Sequence, residues 1–220
     1  MARQVTIDGD VATRPAAPVA VDSAVAVRVP RRYVSRGGEK LEHALARAAI
    51  DVRGAHCLDA GASTGGFTDC LLQHGAAHVV AVDVGYGELA TSLRKDPRVE
   101  VRERTNARSL PPIDPPVDLV VVDVAFISLT QVLPALLESV RPGGDMLVLV
   151  KPQFEAARAQ VARGGVVHDA NVHASTVARV ALWAIHHGLR VRGVIRSPLL
   201  GPAGNREFFL WLRAPSGQRE

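Results

Sequence analysis

Apolar residues follow two rhythms along this chain, and the switch between them marks out the elements. Near-continuous β-branched runs, clearest in Leu119-Val120-Val121-Val122, have the pattern of strands covered on both faces. Such runs predict strands at His56–Asp59, His78–Val84, Val99–Arg102, Asp118–Val124 and Asp145–Val150. Helices are predicted between most of them, at Phe67–His74, Glu88–Arg94 and Leu129–Val140. An earlier helix runs from Glu39 to Ala49, where Leu41, Leu45, Ala48 and Ala49 recur at helical spacing. A long helix over Asn171–His187 leads to two closing strands at Leu189–Ser197 and Glu207–Arg213. Strands alternating with helices imply a mostly parallel, doubly wound α/β sheet. Residues 1–30 differ: Val, Thr, Ala and Arg alternate around an Ile7-Asp8-Gly9 turn signal, which predicts short strands or an extended arm. Pro111 to Pro116 form a stiff surface connection.

A length of 220 residues suits one ordinary domain with a small appendage. No apolar run reaches the roughly 18 residues of a membrane span. The first residues, Met1 to Gly9, lack the charged-then-apolar pattern of a secretory signal, so a cytoplasmic location is expected. Cys57 and Cys70 form neither a disulfide framework nor a C-x-x-C pair and read as structural thiols. The eight histidines show no H-E-x-x-H spacing, and no metal is expected. A net charge of +4 permits an acidic partner without demanding one. More telling, only three of the 26 basic residues are lysines: Lys40, Lys95 and Lys151. An arginine cannot be deprotonated in a protein, whereas a lysine can be tuned to act as a base, so each lysine invites a reason. Lys95 sits in the polar segment Arg94-Lys95-Asp96-Pro97, where chance suffices.

Between the first predicted main-domain strand and its helix lies Asp59-Ala60-Gly61-Ala62-Ser63-Thr64-Gly65-Gly66-Phe67. Glycines at such a crossing let backbone N–H groups approach a ligand. Their G-x-x-x-G-G spacing departs from the G-x-G-x-x-G of dinucleotide sites, which argues against a nicotinamide-dependent dehydrogenase. Asp59, at the strand end, suits the ammonium group of an amino-acid-bearing cofactor such as S-adenosylmethionine (SAM) and would repel a pyrophosphate. Asp83 ends the next apolar run, where α/β folds place a ribose-hydroxyl acceptor. An ordinary strand-to-helix turn is the alternative.

Ligands of open α/β sheets bind beyond the carboxyl ends of the strands. Asp59, Asp83, Asp123 and Lys151 all fall at that rim. A carboxylate–amine pair formed by Asp123 and Lys151 beside the cofactor suggests activation of a hydroxyl, with Lys40 as a nearby cation. An amine is a usable base only when its charged form is disfavoured. Asp123-Val124-Ala125-Phe126 lacks the Asn/Asp-Pro-Pro-aromatic run of base-amine methylation, and neither cysteine is placed for attack on a pyrimidine. Oxygen methylation remains. A strand-end lysine reaching solvent and an aspartate capping a turn are the plainer alternatives.

These residues sit within longer blocks. Tyr33-Val34-Ser35-Arg36-Gly37-Gly38-Glu39-Lys40, the Asp59–Thr68 turn, Glu103 to Arg108, Phe126-Ile127-Ser128-Leu129, Val150 to Glu155, Gly164-Gly165-Val166-Val167 and Ser197 to Leu210 together resemble the TlyA (haemolysin-A-like) ribosomal RNA methyltransferases. That resemblance implies an FtsJ-type class I SAM-dependent methyltransferase fold, Rossmann-like with seven strands, preceded by a short β arm. It further implies a Lys-Asp-Lys-Glu tetrad of Lys40, Asp123, Lys151 and Glu207, and cytidine 2′-hydroxyls of ribosomal RNA or ribosomal subunits as substrate. Asn106 falls where such enzymes contact the adenosine end of the cofactor. The implied organisation is an S4-like remnant over residues 1–30, a linker at 31–37, the methyltransferase domain at 38–214 and a disordered tail at 215–220. Only the last strands of an S4 domain are matched, by Val5 to Gly9 and Val25 to Val29; its helices are missing. Arg28, Arg31, Arg32 and Arg36 would retain part of the RNA binding. A catalytically silent RNA-binding protein and a membrane-active haemolysin are the competing readings; the predicted tetrad opposes the first and the lack of a span or signal the second.

Overall fold

The structure, a computed structural model, describes residues 5–14, 18–27 and 31–217. The chain divides into two compact units, residues 1–32 and 33–220.

In the first unit, β1 (Val5–Ile7) lies between β2 (Asp10–Val11) and β3 (Val25–Val27), antiparallel to both. The Asp8-Gly9 turn joins β1 to β2 with φ of +51° and +92°, the left-handed pair that a two-residue hairpin loop requires. Asp8 Oδ1 accepts the Ala24 N–H at 2.8 Å.

In the second unit, α1 (Gly37–Ala48) precedes a βα alternation: β4 (His56–Ala60), α2 (Gly66–Gln73), β5 (His78–Val82), α3 (Thr91–Arg94) and β6 (Val99–Arg102). It continues through β7 (Val117–Val122), α4 (Leu129–Leu137), β8 (Val140–Val150), α5 (Pro152–Glu155), α6 (Ala170–His186), β9 (Arg190–Arg196) and β10 (Phe208–Arg213). The seven strands order as β6-β5-β4-β7-β8-β10-β9. Pairing is parallel from β6 to β8, and β10 runs antiparallel to both its neighbours. Strand order reverses between β4 and β7, the crevice where such sheets bind ligands.

The strand period of two sorts the core onto two faces. Cys57, Val79, Val121, Leu149 and Phe209 pack with α1 and α2, while Leu58, Val80, Val122, Val148 and Leu210 pack with α4 and α6. Continuing that alternation assigns Asp59, Asp83, Asp123, Lys151 and Glu207 to the α1–α2 face. Five groups that could do chemistry therefore share one side of the sheet's rim.

The expected elements form, with three adjustments. β5 and β7 stop at Val82 and Val122, so Asp83 and Asp123 begin loops. β8 starts at Val140, five residues early, because Pro142-Gly143-Gly144 has a turn's composition but is absorbed where the β7–β8 register shifts. Helix α3 is only four residues long, since Ala90 is extended and its N–H donates to Thr64 O. No helix among the described residues is long and apolar enough to cross a membrane.

Candidate active site

Two ion pairs occupy the rim. Lys151 Nζ lies 2.5 Å from Asp123 Oδ1, and Lys40 Nζ lies 2.5 Å from Glu207 Oε2. Phe208 stands opposite Val150 in the β10–β8 ladder, so Glu207 and Lys151 are the next residues beyond that pair on adjacent strands. The register thus brings the two pairs together from four distant parts of the chain. Lys40 reaches the rim from the first turn of α1, and the close approach of α1 to α2 seats it there. A Cβ on Gly66 would lie 2.2 Å from Ser35 Oγ, a separation that only glycine permits. Lys40 and Glu207 are both buried, and Glu207 Oε1 has no hydrogen-bond partner.

Beside the Asp123 end lies a cleft of about 390 Å³. Asp83, Glu88 and Asp123 line it together with Gly61, Ser63, Asn106 and Phe126, and no cationic side chain does. Asp83 is oriented by two backbone donors, Ser63 N–H to Oδ2 at 2.8 Å and Gly85 N–H to Oδ1 at 2.7 Å. Asn106 accepts the Arg108 N–H through Oδ1 at 3.0 Å, which leaves its amide nitrogen as the free donor. The floor is set by Gly61, with φ +91°. A Cβ there would sit 2.4 Å from the Asp123 carbonyl oxygen. The Asp123 N–H in turn donates to Ala60 O at 2.9 Å, so Asp123 is pinned to the glycine turn by its own backbone.

Asp59 stands behind the cleft and does not line it. Its side chain is fully buried, accepts from Thr68 Oγ1 at 2.7 Å, and leaves Oδ1 without a partner. Burial pushes its carboxyl up to about 7, opposed by the Thr68 hydrogen bond and reinforced by the charges of Asp123 and Asp83. The donor set fits SAM. An anionic, cation-free cleft suits a sulfonium and an ammonium group, an oriented aspartate suits a ribose diol, and the orphaned Asp59 oxygen offers an acceptor beneath. A pyrophosphate would find no cation.

Of the predicted glycine turn, Gly61 and Ser63 line the cleft, while packing places the other residues. Ala62 and Phe67 are in the core, Phe67 with its ring centroid 5.9 Å from that of Phe209. Gly65 caps α2 against the side chains of Leu89 and Leu93. Thr64 is exposed. Gly61, Gly65 and Gly66 each also permit a close approach between parts of the chain. Lys95 is exposed at the end of α3, as its polar surroundings suggested. Burial pushes the Cys57 thiol up to about 12, an inert structural group. Arg28 and residues 218–220 lie outside the described residues. Arg31 and Arg32 are exposed in the first unit, and Arg36 is exposed at the start of α1.

Two residues that stand in the resemblance blocks without an assigned role take a place at the site. Glu155 is buried and accepts the Leu129 N–H at 2.7 Å and the Ser128 hydroxyl at 2.8 Å, with Arg179 against it. It ties the loop after Lys151 to the loop after Asp123, a long-range role that no local spacing announces. Phe126, at φ +63°, is 90% exposed at the mouth of the cleft, with its ring 5.0 Å from that of Phe154.

Comparison with known proteins shows the family. The FtsJ-like methyltransferase family matches residues 33–214. The 16S/23S rRNA (cytidine-2′-O)-methyltransferase TlyA of Mycobacterium tuberculosis is 56% identical over 216 residues, covering 96% of this chain and 81% of the relative. A solved structure from Streptococcus thermophilus, named as a candidate hemolysin, superposes with a TM-score of 0.83 at 39% identity, covering 99% of this chain and 81% of that one. At 15% identity, a SAM-dependent methyltransferase of Mesorhizobium loti shares the fold alone, with a TM-score of 0.59 over 77% of this chain and 95% of its own.

Proposed function

Since the chain belongs to the FtsJ-like methyltransferase family, we propose that it methylates the ribose 2′-hydroxyl of cytidine in ribosomal RNA. In this reading SAM is the donor and Lys40, Asp123, Lys151 and Glu207 form the activating tetrad. The observation that carries it is the two ion pairs brought side by side through Lys151 and Glu207, with Asp123 also lining a cleft that holds two further carboxylates. The substrate class follows the M. tuberculosis relative.

Asp83 would hold the ribose of SAM, Asn106 its adenine end, and Gly61 and Ser63 its flank, with Asp59 below the amino-acid end. When bound, SAM supplies an electrophilic methyl group. The chain's own residues prepare the hydroxyl. Asp123 aims the Lys151 nitrogen, which in its neutral form takes the 2′-OH proton and leaves an ammonium beside the Asp123 carboxylate. Lys40, anchored by Glu207, sets a fixed positive charge where negative charge develops on the oxygen. Holding that oxygen in line with the transferable methyl supplies the rest.

In this reading the first unit, with Arg31 and Arg32, contributes RNA affinity, and Arg36 adds to it. Arg31→Gln/Arg32→Gln should weaken rRNA binding; affinity equal to wild type would contradict this assignment. Ribosomal RNA as substrate also assigns the protein to the cytoplasm. The function itself is tested by mapping 2′-O-methyl marks on rRNA from cells with and without the gene. Loss of a cytidine mark is expected, and an unchanged set of marks would refute the reading.

A further inference from the structure

A groove of about 610 Å³ separates α1 from the edge strand β9. His43 and Arg47 line it from α1 and Arg192 and Arg196 from β9, with Gly193 and Trp211 between them. No carboxylate lines it. Several arginines elsewhere are neutralised: Arg53, Arg94, Arg98, Arg102, Arg141 and Arg213 each pair with an aspartate or glutamate. Among the described residues, Arg47, Arg192 and Arg196 have no such partner. All three are exposed.

The backbone is shaped to produce this arrangement. Strict alternation along β9 would send Arg192 to the α6 side of the sheet. The register shifts between Trp211 and Leu212, where Trp211 pairs with Gly193 and Leu212 with Val191. Arg192 is the extra residue, and its guanidinium carbon lies 5.5 Å from the centroid of the Trp211 ring; a bulge can re-aim a side chain in this way. Gly193, opposite that indole, carries no side chain to fill the groove, and even a Cβ would only reach 3.9 Å from the ring. Charge on an edge strand is also a defence against edge-to-edge pairing. That purpose is met at the opposite edge, β6, by Arg102 paired with Glu100, without leaving one sign in excess.

The groove shares its walls' elements with the tetrad. Lys40, His43 and Arg47 recur at i, i+3 and i+7 along α1, spanning about 10 Å of helix. At the other wall, Ser197 lines the groove and donates its N–H to Glu207 O at 2.9 Å. We propose that this groove holds the phosphate backbone of the RNA strand flanking the modified nucleotide, with Arg47 and Arg192 as phosphate ligands. The proposal rests on the rRNA methyltransferase reading above.

The test compares wild type with Arg47→Gln/Arg192→Gln, titrating a fluorescent rRNA fragment across a range of salt and measuring methyl-transfer kinetics. Two lost phosphate contacts should flatten the plot of log affinity against log salt by about 1.5. KM for RNA should rise about tenfold while kcat and SAM affinity stay unchanged. Arg98→Gln/Arg102→Gln, which removes the same charge from the opposite edge, should leave the slope in place. An unchanged slope and KM in the groove variant, with wild type active, would overturn the groove alone. So would an equal loss in both variants, which would assign the effect to net charge. A wild type inactive on every rRNA would overturn the functional reading and the groove with it.

Discussion

Lys40 and Glu207, 167 positions apart, meet with their charged atoms 2.5 Å apart and almost wholly withdrawn from water. One belongs to the first helix of the methyltransferase unit and the other immediately precedes its last strand. Removing one partner leaves the other charge buried without compensation, which costs about 3 kcal/mol or more. Glu207→Ala should therefore lower the urea midpoint substantially. Lys40→Met/Glu207→Leu should recover most of that stability and remain inactive. If the double variant is as unstable as the sum of its singles, measured by urea denaturation, the pair is not coupled.

Lys151 is assigned the proton transfer, so Lys151→Ala should abolish methyl transfer and leave SAM affinity nearly unchanged by calorimetry. Lys151→Arg should fail too, because a guanidinium keeps its proton. Turnover at the wild-type rate in either variant would remove Lys151 from the mechanism.

Asp59 makes stability depend on pH. Its folded carboxyl is raised to about 7 by burial from an ordinary value of 3.8. Between those limits the folded state binds a proton that the unfolded chain has lost, so this contribution is complete below about pH 4 and is lost as pH rises through about 7. Wild type should lose stability across that window relative to Asp59→Asn. Ionisation should at the same time favour a ligand ammonium, so SAM affinity rises with pH in wild type only. Parallel profiles for the two proteins, in denaturation and in calorimetry, would show that Asp59 titrates normally.

Gly61→Ala places a Cβ 2.4 Å from the Asp123 carbonyl oxygen at φ +91°. Such overpacking, with a left-handed backbone, should destabilise by about 3 kcal/mol. Since the atom displaced belongs to Asp123, kcat should fall further than the folded fraction. A variant with native stability and native kcat would show that the turn can move without disturbing the carboxylate.

Much of this site was legible in the chain because the strand period is local. Asp59, Asp83, Asp123 and Lys151 each end an apolar run, and alternation alone assigns them to one face. Glu207 was different: a glutamate at the start of a terminal strand is unremarkable until the antiparallel register of β10 on β8 sets it beside Lys151, and only a family resemblance marked it beforehand. Glu155 and Arg192 stayed hidden for the same reason, one acting through a fold-level clamp and the other through a bulge. The start of β8 was masked by proline and glycine that usually signal a turn. The glycines of the Asp59 turn carry a second demand that no local spacing announces, the close contacts with Asp123, Ser35 and Leu93.

The most direct measurement incubates the purified protein and SAM carrying a labelled methyl group with rRNA, then digests the RNA with alkali, which cannot cut beside a 2′-O-methylated ribose. Wild type should deposit label in an alkali-resistant dinucleotide that begins with cytidine, and Lys151→Ala should deposit none. Label released with single nucleotides, or equal label from the variant, would contradict the tetrad as a device for activating a ribose hydroxyl.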